Sequence, residues 1–368
     1  MTIGVTGSAG FLGANLLRLL HGVQMTDAKL LPFYSTRTGN PLTDGLSLPY
    51  VHLDVTARQE VFERTRGLDV LFHLAGAVDY SKHNLRRTWD INVVGAKNVF
   101  DAALANKIGK VVYVSSISFL GAATTPGALA DETNDPYAGR ENPISFRDRE
   151  QALQAAHASL GDGYGFLSNV RVPYFDSKLA AYELALEYRR RHGLPVTVVF
   201  PGTAVGAGDT RFSIARLVSL VYEGKLRFTL PGGTSFAAVG DVSEGLRLAW
   251  VRGREGEGYI ITGAAEDNLS YAQFMNKVAL VSRREYGRRV PRRFLTVPAA
   301  LSRVAARAAR AVPPGSQLNE GLILSGSVTH RFGHAKATRE LGYEPKTTLD
   351  TAIRECIDFY REHGGEGG

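Results

Sequence analysis

Two rhythms of apolar residues alternate along the first two-thirds of the chain. Short, continuous apolar runs such as "TIGVT", "KLLPFY", "LDVLFH" and "KVVYV" have the length and composition of buried strands. Between them lie stretches with helical spacing, as at Leu16, Leu17, Leu19 and Leu20, where Gly22 marks the stop. In order the pattern predicts a strand at "TIGVTG", a helix at "FLGANLLRLLHG", a strand at "KLLPFYST" and a third at "YVHLDV". The helix "ARQEVFERTRG", the strand "LDVLFHLAG", the helix "INVVGAKNVFDAALANKIG" and the strand "KVVYVSS" follow. After the long helix "DSKLAAYELALEYRRRHG" come the strands "PVTVVFPG" and "GYIITG", with "DTRFSIARLVSLVYEG" and "VGDVSEGLRLAW" read as helices between them. Such alternation implies parallel strands joined by crossover helices, an α/β fold with a doubly wound parallel sheet.

Past residue 264 the alternation stops and helices with loops dominate, which predicts a smaller, mostly helical substrate lobe. The expected division is a dinucleotide-binding Rossmann domain over 1–201 and 237–263, with an insertion at about 122–172. The substrate lobe then takes 202–236 and 264–350, and a C-terminal helix with a frayed tail takes 351–368.

With 368 residues, 44% of them hydrophobic, the chain can bury a sizeable core. Cys356 is the single cysteine, so no internal disulfide forms and a reducing compartment is expected. The start of the chain lacks a charged lead and an apolar core, so no signal peptide is expected. No apolar run approaches the ~18 residues of a membrane span, and the expected setting is cytoplasmic. The net charge of +7 is concentrated in residues 283–310, where nine arginines face one acid, Glu285. Such a run is either a solvated face or a contact for an anionic partner; a nucleic acid is not the expected one. At its end, Arg303, Arg307 and Arg310 share one helical face and Leu301, Val304 and Ala308 another. Packing onto the substrate lobe is the expected use of the second face.

"TGSAGFLG" places Gly7, Gly10 and Gly13 between the first strand and the first helix. Gly7 permits the tight turn, Gly10 the approach of a pyrophosphate, and Gly13 close helix–strand packing, while the helix N-terminus offers free N–H groups. An acid near the end of the second strand would bind the ribose of NAD, whereas an arginine accommodates a 2′-phosphate. Arg37 lies there, with no acid from Lys29 through Pro41, so NADP(H) is favoured, with NAD(H) as the alternative.

A second constellation centres on "YFDSK". Tyr174 and Lys178 lie one helical turn apart and share a face, while Ser115 and Ser116 end the fifth strand at the carboxyl edge, where open α/β sheets bind ligands. A free phenol has a pKa near ~10 and is a poor base at neutral pH. An adjacent ammonium and a cationic nicotinamide are expected to lower that pKa, so that the phenol exchanges a proton with a substrate oxygen that a serine holds. A metal site at His330 and His334 is not expected, since no acid or cysteine accompanies them, and a hydrolase G-x-S-x-G is absent.

These motifs, with "LDV" at 53–55, "HLAG" at 73–76, "NVVGAKNV" at 92–99, "FPGTAVGAGD" and "VGDVSEGL", resemble the extended short-chain dehydrogenase/reductases in family order over residues 1 to about 263. The resemblance implies a catalytic set of Ser116, Tyr174 and Lys178, with Tyr174 as the acid/base. Ser116 is preferred to Ser115 on its spacing to Gly121. It further implies cofactor contacts from Gly7, Ser8, Gly10, Phe11, Leu12, Gly13, Arg37, Asp54, Val55, Leu74, Ala75, Gly76, Asn92, Ser115, Tyr174, Lys178, Pro201 and Thr203. Two features depart from the family's sugar-nucleotide members. Thr203 stands where they often carry asparagine, and 58 residues separate Ser116 from Tyr174, an insertion read as a flap or a peripheral excursion. The branch resembled most is that of the dihydroflavonol-reductase-like and 3β-hydroxysteroid-dehydrogenase-like enzymes. The reaction this implies is NADPH-dependent reduction of a ketone or aldehyde on a fairly apolar small molecule. A nucleotide-sugar epimerase or dehydratase with tightly bound NAD is the alternative, and a homodimer is the assembly considered.

Overall fold

The computed structural model of the chain describes residues 1–23, 28–36, 39–120, 128–134, 172–210, 214–309 and 319–364. The first half runs β1 (Thr2–Thr6), α1 (Phe11–Gly22), β2 (Lys29–Tyr34), β3 (Val51–His52), α2 (Arg58–Arg64), β4 (Val70–His73), α3 (Leu85–Trp89), α4 (Gly95–Ala105), β5 (Lys110–Val114), α5 (Pro173–His192) and β6 (Val196–Pro201). There follow β7 (Thr203–Val205), α6 (Ile214–Tyr222), β8 (Phe228–Thr229), β9 (Gly233–Ala238), α7 (Val239–Arg252), β10 (Gly258–Ile261), β11 (Asn268–Ser270) and α8 (Tyr271–Tyr286). The chain closes with β12 (Leu295–Thr296), α9 (Ala299–Ala308), α10 (Glu320–Ser325), β13 (Thr329–His330), α11 (Ala335–Leu341) and α12 (Leu349–His363).

Seven strands form one parallel sheet in the order β10-β6-β5-β4-β1-β2-β3. The expected doubly wound sheet is therefore present. Its strands are continuous apolar runs because both faces are covered. Leu71, Val111, Tyr113 and Val198 turn to one face, beneath Val99 and Phe100 of α4 and Leu184 and Tyr188 of α5. Val70, Phe72, Val112 and Val199 turn to the other, beneath Leu16, Leu17 and Leu20 of α1 and Val242 and Leu246 of α7. Each such side chain contributes roughly 1.5–3 kcal/mol on burial, so the two layers account for most of what holds the sheet. The third strand is shorter than its pattern predicts. After Leu53, Asp54 accepts the Thr56 N–H at 2.9 Å and turns the chain away from the sheet.

The back of the molecule is not only helices and loops. A four-stranded sheet joins β11, β9 and β13, with β7 also paired to β9, and β12 pairs β8. The central strand, "GTSFAA", is wholly buried, but apart from Phe236 it is made of small residues without an apolar alternation, which hides it in the sequence. The arginine-rich helix α9 also differs from expectation. Ser302 and Ala306 are its buried residues, and Ala306 and the capping Ala309 form a small cluster with Ile323, while Leu301 and Val304 stand open to solvent. Only 128–134 and Val172 of the insertion at 122–172 are among the described residues; its helical middle, Gly121 and Arg310 lie outside them. Among the described residues no helix is long and apolar enough to cross a membrane.

The carboxyl ends of β1 and β4 are clasped by one side-chain pair. The Thr6 hydroxyl oxygen accepts the N–H groups of Leu74 and Ala75 at 3.2 and 3.1 Å, so its own proton goes to His73 Nδ1 at 2.8 Å. His73 is therefore a neutral imidazole with its proton on Nε2. Burial, with the nearby Lys178 ammonium adding to it, lowers its pKa to about 3. The unfolded chain binds a proton at this side chain below pH 6.5 while the folded chain does not until about pH 3, so stability is lost as pH falls through that window. The expected slope from this residue approaches about 1.4 kcal/mol per pH unit. Urea titrations of wild type and His73→Gln between pH 7 and roughly pH 5 measure it, and the two stabilities should converge as pH falls. Parallel curves would remove His73 as the source.

Candidate active site

The glycine loop sits where β1 feeds α1, beside the point at which strand order reverses on the two sides of the sheet. Gly7 has φ +68°, and a Cβ there would lie 2.8 Å from Ala75 N. At Gly13 a Cβ would lie 2.3 Å from Gly7 O, so helix and loop touch backbone to backbone. No side chain caps α1 at Gly10, which leaves the first-turn amides of Phe11 and Leu12 for an anionic group. Ser8 is turned the other way: its N–H and hydroxyl both bond the Phe33 carbonyl, at 3.1 and 2.8 Å. These residues fit a dinucleotide pyrophosphate, because the cradle consists of main chain that any Cβ would fill.

Residues on either side complete the cradle. Leu74, Ala75 and Gly76 follow β4, and a Cβ at Gly76 would lie 3.3 Å from Lys178 Nζ. Asp54 uses Oδ1 on the Thr56 N–H and hydroxyl, and Val55 is buried beneath Gly95 with its carbonyl held by Asn98 Nδ2 at 3.0 Å. Pro201 ends β6, and Thr203 starts β7 with its hydroxyl 3.2 Å from that of Thr234. Ser35 and Thr36, exposed, follow β2; Arg37 lies outside the described residues.

Ser116, Tyr174 and Lys178 meet at the carboxyl edge of β5. Pro173 opens α5, and Asp176 accepts the Val172 N–H at 3.0 Å, which fixes the helix start one residue before Tyr174. Lys178 Nζ donates to the Val114 carbonyl at 2.9 Å, and burial lowers its pKa to about 8. Ser116 accepts the Ser118 N–H at 3.1 Å and faces the Tyr174 phenol. Ser115, its neighbour, turns inward beside Tyr113. The Tyr174 phenol is pushed up from its ordinary value by burial, with the Ser116 hydroxyl opposing the rise. The expected lowering included a cationic nicotinamide; in the protein alone, burial sets the direction.

Asn92 joins the two halves of the site. It lies in a π-helical turn, Asp90–Val94, between α3 and α4. Its amide accepts the Ala77 N–H at 2.7 Å and donates to the Ala77 carbonyl at 3.0 Å and the Ser177 hydroxyl at 2.9 Å. The loop after β4 is thus fixed to the residue preceding Lys178. Asn40 and Asn15, unremarked in the sequence, stitch the loop after β7 to the glycine loop. Asn40 Nδ2 donates to Gly208 O at 2.9 Å and Ala9 O at 3.3 Å, and Asn15 Nδ2 donates to Ala207 O at 3.0 Å. Neither Asn40, in the loop sequence "TGNP", nor Asn15, inside α1, carries a signal of what it bridges.

An aromatic wall stands over Tyr174. Tyr80 meets its ring edge-to-face at 5.7 Å and Phe175 at 6.1 Å, and His330 meets Phe175 at 5.9 Å. Tyr80 reaches this place because α10 packs on its backbone at Gly321, and His330 because β13 pairs β9. Burial holds Tyr271 at about 12 and Tyr80 higher still, so both phenols stay neutral. Among the described residues no group of three or more metal-ligating side chains occurs.

The model of the NAD dependent epimerase/dehydratase family matches residues 3–145 and 154–262. "Sterol demethylase protein B" of Methylococcus capsulatus is 26% identical over 99% of both chains. The "3beta-hydroxysteroid-dehydrogenase/decarboxylase isoform 2" of Arabidopsis thaliana is 26% identical over 97% of this chain and 61% of its own length. Among solved structures, a nucleoside-diphosphate-sugar epimerase from Pseudomonas aeruginosa superposes with a TM-score of 0.73 over 99% of this chain and 98% of its own, at 20% identity.

Replacing Asn92 by alanine leaves the Ala77 N–H and carbonyl and the Ser177 hydroxyl short of a partner. The expected cost is about 1–3 kcal/mol of stability, measured by urea unfolding. Unchanged stability would mean that water replaces the amide without loss.

Proposed function

The chain belongs to the NAD-dependent epimerase/dehydratase family, and from that premise we propose that it is an NADP(H)-dependent oxidoreductase that reduces a ketone or aldehyde on a fairly apolar small molecule. The observation that carries this reading is the meeting of Ser116, Tyr174 and Lys178 beside the glycine loop, beneath the aromatic rings of Tyr80 and Phe175. The nicotinamide, when bound, supplies the hydride. Lys178 holds the nicotinamide ribose, anchored through the Val114 carbonyl. Ser116 holds the carbonyl oxygen of the substrate, and Tyr174 donates a proton to that oxygen as it gains charge. A phenol kept neutral by burial carries its proton at working pH, which suits the reductive direction. Relatives named for sterol and steroid chemistry support an apolar substrate, as do Tyr80, Phe175 and His330 over the phenol. The preference for NADP(H) rests on Arg37 and on the lack of an acid from Lys29 through Pro41.

A nucleotide-sugar epimerase or dehydratase is the second reading, favoured by a "dTDP-glucose 4,6-dehydratase" of Streptomyces niveus, 24% identical over 99% of this chain. Thr203 argues against it, since it replaces an amide that would hold a diphosphate. Consumption of free NADPH with a panel of steroid ketones separates the two, because an epimerase retains its cofactor and shows no net turnover.

Tyr174→Phe should lower turnover at least ~100-fold, the scale of a removed general acid, with cofactor affinity nearly unchanged. Retention of more than about a third of the wild-type rate would exclude the phenol as the acid. Arg37→Asp should weaken NADPH and raise the relative use of NADH, because it puts a repelling charge where the 2′-phosphate would sit. Titration of both cofactors checks this, and a wild type that already prefers NADH would sink the cofactor assignment.

A further inference from the structure

Four large apolar side chains stand exposed on one stretch of the back lobe. Phe228 and Leu295 are 58% and 64% exposed and are direct cross-strand partners in the β8–β12 pair. Three residues after that pair ends, α9 begins, and its Leu301 and Val304 are 59% and 60% exposed. These are not the residues by which the helix is held, since Ser302 and Ala306 face the protein instead. On a helix, Leu301 and Val304 form one stripe, and Arg303 and Arg307, both exposed, form another beside it. Arg292 and Arg293, also exposed, precede Leu295. No acid occurs anywhere in residues 286–319.

We infer that this surface docks on an anionic lipid bilayer, with Phe228, Leu295, Leu301 and Val304 entering the headgroup boundary and the arginines pairing with lipid phosphates. An apolar stripe bordered by arginines is the arrangement of helices that lie in a membrane interface. Arginine suits it, because its planar guanidinium binds phosphate bidentately and its stem covers apolar surface. Charge decides between bilayer and a second copy of the chain. A two-fold contact would set the same arginines against each other, with no acid in the run to answer them. The inference does not rest on the reaction proposed above.

Cosedimentation of the full chain with phosphatidylcholine vesicles, with and without phosphatidylglycerol, tests it. Binding is expected to the anionic vesicles at low salt and to weaken steeply toward 1 M salt, where the Debye length shrinks to ~3 Å. Arg303→Gln with Arg307→Gln should lower binding about tenfold or more. Leu301→Ser with Val304→Ser should lower it by a similar factor, about tenfold, because the apolar side chains no longer leave water. All four positions are exposed, so the fold is retained, and thermal melting confirms it. Absence of sedimentation with anionic vesicles overturns the inference. So does serine-pair binding equal to wild type, which would reduce the contact to charge alone. Self-association of the wild type that the serine pair abolishes would assign the surface to a second copy instead.

Discussion

No side chain fits between the ends of β1 and β4, and the site is built on that exclusion. Gly7 lies so close to Ala75 that a methyl group would meet its amide nitrogen at 2.8 Å, and Gly13 presses as tightly on Gly7. Such proximity of main chain to main chain holds only if the strand ends are fixed, and Thr6 fixes them. Its hydroxyl takes two amide protons from the loop after β4 and gives its own to His73. The clasp requires a neutral imidazole, since a proton on Nδ1 would face the Thr6 hydroxyl proton. The core supplies that condition by burying His73 against Tyr113 and Phe100. Sheet packing and cradle geometry are therefore one problem: the apolar contacts that bury His73 also shape the glycine loop.

From the same clasp the structure extends to the chemistry. The loop after β4 continues to Gly76 and Ala77, and Asn92 ties Ala77 to Ser177, next to Lys178. Lys178 in turn donates to Val114, at the end of β5. A π-helical turn places Asn92 there, where an unbroken α-helix would aim a different residue at the loop. The position of the ammonium is thus set by the Val114 carbonyl at the end of β5 and by the Asn92 side chain, which ties the neighbouring Ser177 to the loop after β4.

The sheet was legible in the sequence because its strands are covered on both faces, which gives continuous apolar runs bounded by glycine. The four-residue step from Tyr174 to Lys178 and the spacing of Gly7, Gly10 and Gly13 were legible because backbone geometry imposes them. What was not legible depends on contacts between distant segments. β9 is a core strand with one large apolar residue, Phe236, among Gly, Thr, Ser and Ala, and most of its burial comes from its sheet partners rather than its own composition. Tyr80 and His330 lie 250 residues apart and meet around Phe175 only through the packing of α10 and the pairing of β13. The face on which α9 rests was misread for a related reason. Hydrophobicity favoured Leu301 and Val304, but packing on Ile323 takes small residues, and Ala306 and Ala309 provide them.

The electrostatics of the tyrosine and lysine follow from the same packing. Burial acts on the two groups in opposite senses along the pKa scale, raising the phenol and lowering the ammonium to about 8. In both cases it favours the neutral form, because a charge in a low-dielectric site loses its hydration. The ammonium keeps most of its charge near neutral pH because the remaining gap is about one unit on the side of the charged form. The phenol retains its proton outright. In the protein alone the pair is therefore a protonated phenol beside a cation, and the packing that places the two side chains is also what sets those charge states.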